Sequence, residues 1–179
     1  MDNRQYVYLT EGECEEKLVK ALKEKPALIH SGRVEKFNVI QNIIPPRKLM
    51  QFALGSVVVL VFDTDKEETE ILRKNIALLK SLSFKVEVLT VVQVLNFEDE
   101  IERSTDVLHA QDFTRSISVN DFKRAVNRMK EKEFRSALKR HKLNLEKLWS
   151  VKPPKGFSFI KQDAEKIKSV EGVNRDGSH

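Results

Sequence analysis

At 179 residues and 40% hydrophobic content, the chain is long enough to bury one ordinary core and to carry an appended subdomain. Its single cysteine, Cys14, excludes an intrachain disulfide and a cysteine-rich zinc site, which fits a reducing cytoplasm. The formal charge of +5 is modest but uneven: residues 121 to 152 hold eleven Lys/Arg against four Asp/Glu, a local +7 that leaves the remainder at −2 and suggests a polyanionic partner, although charged helix faces are often only solvated.

In chain order, QYVYLT (5–10) is aromatic and β-branched and predicts a strand, followed by a helix over about 13–25 that buries Cys14, Leu18, Ala21 and Leu22. VEKFNVI (34–40) predicts a second strand, and Pro45-Pro46 opens a helix through Ala53. SVVVLVF (56–62) is a valine-dense run of the kind buried on both faces in a parallel sheet. Helical periodicity runs through Ile71, Ile76, Leu79 and Leu82, and FKVEVLTVVQV (84–94) returns to strand character. The alternation implies an α/β fold with a mostly parallel central sheet, flanking helices and right-handed crossovers. Past about Thr105 the pattern is helical only, with a bend expected near 130–133, and the tail after about 170 reads as disordered. Residues 1–105 are therefore expected to form the α/β domain, 106–170 a basic helical extension and 171–179 a disordered tail. With no secretory leader and no long uncharged apolar segment, a cytoplasmic protein with no membrane partner is expected.

Two acidic clusters follow strands. YLTEGECEEKL packs Glu11, Glu13, Glu15 and Glu16 into six positions, and VFDTDKEE places Asp63 and Asp65 directly after the most apolar strand. The plain reading of the first cluster is a capping box of Thr10 and Glu13, with acidic residues complementing the helix dipole. In an open parallel sheet, however, ligands bind outside the carboxyl ends of the strands, which places both clusters on one edge. Two carboxylates about 4 Å apart repel by roughly 4 kcal/mol at a surface-like dielectric, more than several caps of about 1 kcal/mol each would offset. A divalent cation removes the conflict. All-oxygen donors, with no His or Cys in zinc spacing, favour Mg²⁺ or Mn²⁺. Gly12 would permit close approach of a phosphate or a hydrated metal beside Glu11.

These residues resemble the TOPRIM domain of topoisomerases, primases and overcoming-lysogenization-defect (OLD) nucleases, whose signature is a glutamate after the first strand and an Asp-x-Asp after a later one. Glu11 matches the glutamate and Asp63 and Asp65 the Asp-x-Asp, over about residues 5–100. Glu15, four residues after Glu11, is similar to the OLD-like branch, and Glu98 in NFEDE to that branch's additional glutamate, although Glu98, Asp99 and Glu100 also read as a helix start. The resemblance implies a stand-alone Rossmann-like TOPRIM fold and metal-dependent hydrolysis of phosphodiesters in DNA or RNA. Glu11, Asp63 and Asp65 would hold one metal, with Glu15 and Glu98 supporting a second, and a phage-defence or mobile-element role is the expected setting. Full OLD proteins place an ATPase region ahead of this part, so a sensor or ATPase partner is the expected activator. Arg124, Arg128, Arg135, Lys139 and Arg140 lie off the apolar helix face and are the expected phosphate contacts.

Other residues have plainer roles. Cys14 is expected as apolar filler and Trp149 as packing between the helices and the sheet. Lys66 reads as a surface residue at a helix start, and the scattered His30, His109, His141 and His179 suggest no base. A haloacid-dehalogenase-like phosphatase would need Thr or Val where Glu67 stands. The more serious rival is a non-hydrolytic module of the same fold that docks nucleic acid or a partner protein.

Overall fold

The structure, a computed structural model, describes residues 4–66, 68–82 and 86–169. Four strands alternate with helices: β1 (Tyr6–Thr10), α1 (Glu13–Lys23), β2 (Gly32–Lys36), α2 (Pro46–Leu49), β3 (Ser56–Asp63), α3 (Glu70–Ser81) and β4 (Val86–Gln93). Helices follow: α4 (Phe97–Ser104), α5 (Ala110–Thr114), α6 (Val119–Arg128), α7 (Glu131–Arg140), a 3₁₀ turn (Lys155–Phe157) and α8 (Ala164–Ile167). All strand pairs are parallel, in the order β2-β1-β3-β4. This is the Rossmann-like α/β architecture that the alternating pattern predicts.

Strand periodicity divides the core into two layers. Tyr6, Tyr8, Val57, Val59, Val61, Leu89 and Val91 face one side, where α1 and the later helices lie, while Val7, Leu9, Val58, Leu60, Phe62 and Val92 face α3 and the turn at 39–52. From β1 the chain crosses to β2 on one side, and β3 lies on the other, with α1 and α3 on opposite faces. The strand order therefore reverses between β1 and β3, and ligands of open parallel sheets bind at that crevice.

The residues after 105 share the sheet's core. Phe113, Phe122, Phe134, Leu138, Leu148 and Trp149 are buried in one cluster with Tyr6, Tyr8 and Val59. The chain also returns to cover the β4 edge: Thr90 N donates to Asp163 Oδ2 at 3.1 Å, and the Gln162 amide bridges Val92, accepting from its N at 3.1 Å and donating to its O at 2.7 Å. With Asp163 N–H also donating to Thr90 O at 2.8 Å, the strand edge is satisfied by a returning loop rather than by another strand.

Several boundaries differ from expectation. β2 stops at Lys36 because the Asn38 side chain accepts from Ile40 N and Gln41 N, folding the chain into an Asx turn. α2 ends at Leu49 rather than Ala53. The expected bend is a full break, with Met129 and Lys130 extended between α6 and α7. The expected disordered tail, 171–179, lies outside the described residues.

Candidate functional site

Glu11 leaves β1 still paired with β3, its N–H donating to Val61 O at 3.1 Å. Its carboxylate then spans two elements, accepting from Asp63 N through Oε2 and from Asn38 Nδ2 through Oε1, both at 3.0 Å. The first glutamate is thus anchored to the end of the β3 strand that carries Asp63. Thr64 pins the same end to the loop after β4: its N–H donates to Gln93 O and Leu95 O at 3.1 Å each, and its hydroxyl accepts from Leu95 N at 2.9 Å. Asp63, on the Val61 face, points toward α1; Asp65, beyond the strand, is exposed.

The N-terminus of α1 differs from the predicted capping box. Thr10 is the last residue of β1, its hydroxyl donating to Glu35 O at 3.4 Å, and Gly12 is the N-cap, with no side-chain cap bond. Glu15 folds back over Gly12 instead. A Cβ on Gly12 would lie 2.7 Å from Glu15 Oε2, so the space opened by the glycine is filled by a carboxylate of this chain rather than left for a ligand. Glu15 is buried, only 6% exposed. On the far side, α4 is capped by Asn96, whose side chain accepts from Asp99 N at 3.1 Å, and its first turn delivers Glu98. Lys123 Nζ, from α6, meets Glu98 Oε1 at 2.7 Å.

Glu11, Gly12, Glu15, Asp63, Lys123 and Asn127 line an open cleft of about 300 Å³. Burial is the largest cause that pushes the Asp63 carboxyl up to about 9, followed by the charges of Glu15, Glu11, Asp65 and Glu98. Burial likewise raises Glu15 to about 7; Glu11 adds to this, while backbone hydrogen bonds at Glu15 and Gly12 and the Lys123 charge oppose it. Each of the two acids resists ionising while its neighbours are charged. Asp63 Oδ1 and Glu98 Oε2 are buried without a hydrogen-bond partner among the described residues. So are both amide atoms of Gln93, which pairs with Asp63 in the sheet register. Orphaned carboxylate oxygens at a crowded anionic site are the groups a divalent oxygen-binding cation satisfies, and in that respect the donor set fits Mg²⁺ or Mn²⁺. Among the described residues, no three His, Cys, Asp or Glu side chains are already drawn together at ligand spacing.

Of the expected ligands, Glu11, Glu15 and Asp63 line the cleft, and Glu98, outside the lining, is tied to it by Lys123. Asp65 does not line it and acts there through its charge on Asp63. Of the expected phosphate contacts, Arg124, Arg128, Lys139 and Arg140 are exposed, Arg124 pairing with Asp121 at 2.6 Å. Arg135 departs from its expected role: its guanidinium donates to the carbonyls of Ala21, Glu24 and Pro26, so it clamps the C-terminal end of α1 and has little left for phosphate. Lys123, Asn38 and Asn127 are site residues that sequence reasoning did not single out. Lys123 lay hidden in a run of cations, and nothing local marks which cation of a helix turns inward. Trp149 is buried as expected, held at a left-handed backbone by Glu100 Oε1, which accepts from its N–H at 2.6 Å. Cys14 is buried, its thiol pushed up to about 12 chiefly by burial. His30 stacks on Tyr6 at 4.7 Å, His109 caps α5 and His141 packs against Phe113, all away from the cleft lining.

Fold and cleft together define an all-parallel α/β protein with an acidic site at its topological switch point. No protein-family model, no curated protein and no solved structure matches the chain. Among the described residues, no helix is long and apolar enough to cross a membrane.

Proposed function

We propose that the chain is a Mg²⁺- or Mn²⁺-dependent phosphodiesterase acting on nucleic acid, a TOPRIM-type nuclease by the resemblance of Glu11, Asp63 and Asp65. The observation that carries this reading is the buried Asp63 Oδ1 at the switch point, without a hydrogen-bond partner among the described residues and surrounded by the charges of Glu15, Glu11, Asp65 and Glu98. Most buried carboxylate oxygens in folded proteins have a donor. Glu11, Glu15, Asp63 and Glu98 would hold the ion, which would supply charge neutralisation for a phosphodiester and a bound water that ionises more readily than bulk water. The chain's own residues do the positioning. Glu11 is held by Asn38 and by the Asp63 amide, Glu15 by the start of α1, and the DTD loop by Thr64, so the carboxylates meet an ion without rebuilding the backbone. Exposed cations on α6 and α7 would track the phosphate backbone. A sensor or ATPase partner and a phage-defence setting remain part of this proposal through the OLD-like matches of Glu15 and Glu98.

Incubation of the purified chain with plasmid, single-stranded DNA and transfer RNA, with Mg²⁺, Mn²⁺ or chelator, tests it. Wild type should cleave at least one substrate only with metal, and Glu11→Ala and Asp63→Asn should not. Metal-dependent binding without cleavage by wild type would favour the rival reading, a docking module of the same fold.

A further inference from the structure

Among the described residues, Lys123 is the one cation lining the cleft, where Glu11, Glu13, Glu15 and Asp63 supply four carboxylates. Its side chain, 46% exposed, starts at the mouth and reaches inward to Glu98, whose side chain is 11% exposed. The backbone of α6 is fixed by the Ser118 cap and by the buried Phe122 and Val126, so only the flexible four-carbon stem is free to move. The pairing is incomplete from the acid's side. Among the described residues, Lys123 meets Glu98 Oε1 and nothing meets the buried Oε2, and Gln93, fully buried opposite Asp63 at the end of β4, also has both amide atoms without a partner. The ammonium thus holds one oxygen of a buried carboxylate whose second oxygen finds no donor among the described residues.

Resting on the reading of the cleft as a cation site, we infer that Lys123 is a built-in counter-ion that competes with the divalent ion for Glu98, so that α6 sets the ion concentration at which the site loads. Without the ion, the ammonium offsets part of the repulsion among the carboxylates. With it, a unit positive charge a few ångström away opposes loading unless the stem swings out to solvent. Lys123 is a positioning residue in this scheme and touches no reacting atom.

Calorimetric titration of the full chain with Mn²⁺, together with metal-free melting curves, tests this on wild type, Lys123→Arg, Lys123→Gln and Lys123→Met. The last of these keeps the stem's packing should the glutamine variant fold poorly. The uncharged variants should bind Mn²⁺ about tenfold tighter than wild type while melting lower without metal, and the arginine variant should stay near wild type on both readouts. Adding Glu98→Gln to Lys123→Gln should restore the metal-free melting temperature and abolish the gain in affinity. Mn²⁺ affinity equal to or weaker than wild type in the uncharged variants would overturn the counter-ion role and leave the cation site standing. Absence of Mn²⁺ binding by every variant up to millimolar concentration would instead overturn the reading of the cleft, and this inference with it.

Discussion

Asp63 sits where burial and crowding both oppose its charge, and its pH behaviour follows. Its carboxyl, raised to about 9, binds a proton in the folded chain that the unfolded chain releases near the ordinary Asp value. The folded state holds more protons at Asp63 between those limits, so this group's contribution to metal-free stability is fullest below about 4 and falls as pH rises from there toward 9. Glu15, raised to about 7, adds to the decline over the lower part of that window. Asp63→Asn should flatten this slope and raise metal-free stability at pH 8 by on the order of 1–2 kcal/mol, read from urea melts across pH. The same variant should lose the stabilisation that Mn²⁺ confers on wild type. At Gly12 the argument is steric. Gly12→Ala drives a methyl to 2.7 Å from Glu15 Oε2, so the carboxylate must move. We expect a loss of about 1 kcal/mol in stability and a larger proportional loss of Mn²⁺ affinity, checked by melting and titration on one preparation.

At the scale of elements, α6 and α7 divide into a face that packs on α1 and a face that meets solvent. Arg135 belongs to the first. Arg135→Ala removes a donor from three backbone carbonyls at the end of α1 and should cost about 2–3 kcal/mol of stability, with nucleic-acid affinity changed little. Arg124, Arg128, Lys139 and Arg140 belong to the second. If these four carry the phosphate contacts, duplex affinity should fall with a log–log salt slope of about −3.6, less steeply for single strands. Arg128→Glu/Lys139→Glu should weaken binding to all sequences alike and flatten that slope. Equal affinity and slope in wild type and variant would remove nucleic acid from this surface.

Across the whole molecule, the segment after 105 completes the sheet's core. Trp149, Leu148 and Phe122 pack with residues of β1 and β3, and Gln162 and Asp163 satisfy the β4 edge. A fragment ending at 105 would expose the layer formed by Tyr8, Val59 and Val91, and should aggregate rather than fold, as judged by its circular dichroism and sedimentation. Full-length protein should melt in a single calorimetric transition whose van't Hoff and calorimetric enthalpies agree. Trp149→Ala should lower the stability of the whole unit by about 3–5 kcal/mol, not that of the extension alone.

Local composition by itself determined the alternating elements, since β-branched density and helical periodicity are properties of short windows. It also marked the chain positions of Glu11, Asp63 and Glu15, because acidic residues directly after apolar strands are visible without any fold. Only tertiary structure decided which of them meet. Strand pairing between β1 and β3 set Glu11 against the Asp63 amide, whereas the end of β3 left Asp65 in solvent although it is two residues from Asp63. Glu98 and Lys123 come from elements far apart in the chain and share a site because α4 and α6 pack on one face of the sheet. The role of Arg135 was equally closed to sequence reading. A cation that serves backbone carbonyls carries the same letter as one that serves phosphate, and only the position of the α1 terminus beneath α7 separates the two.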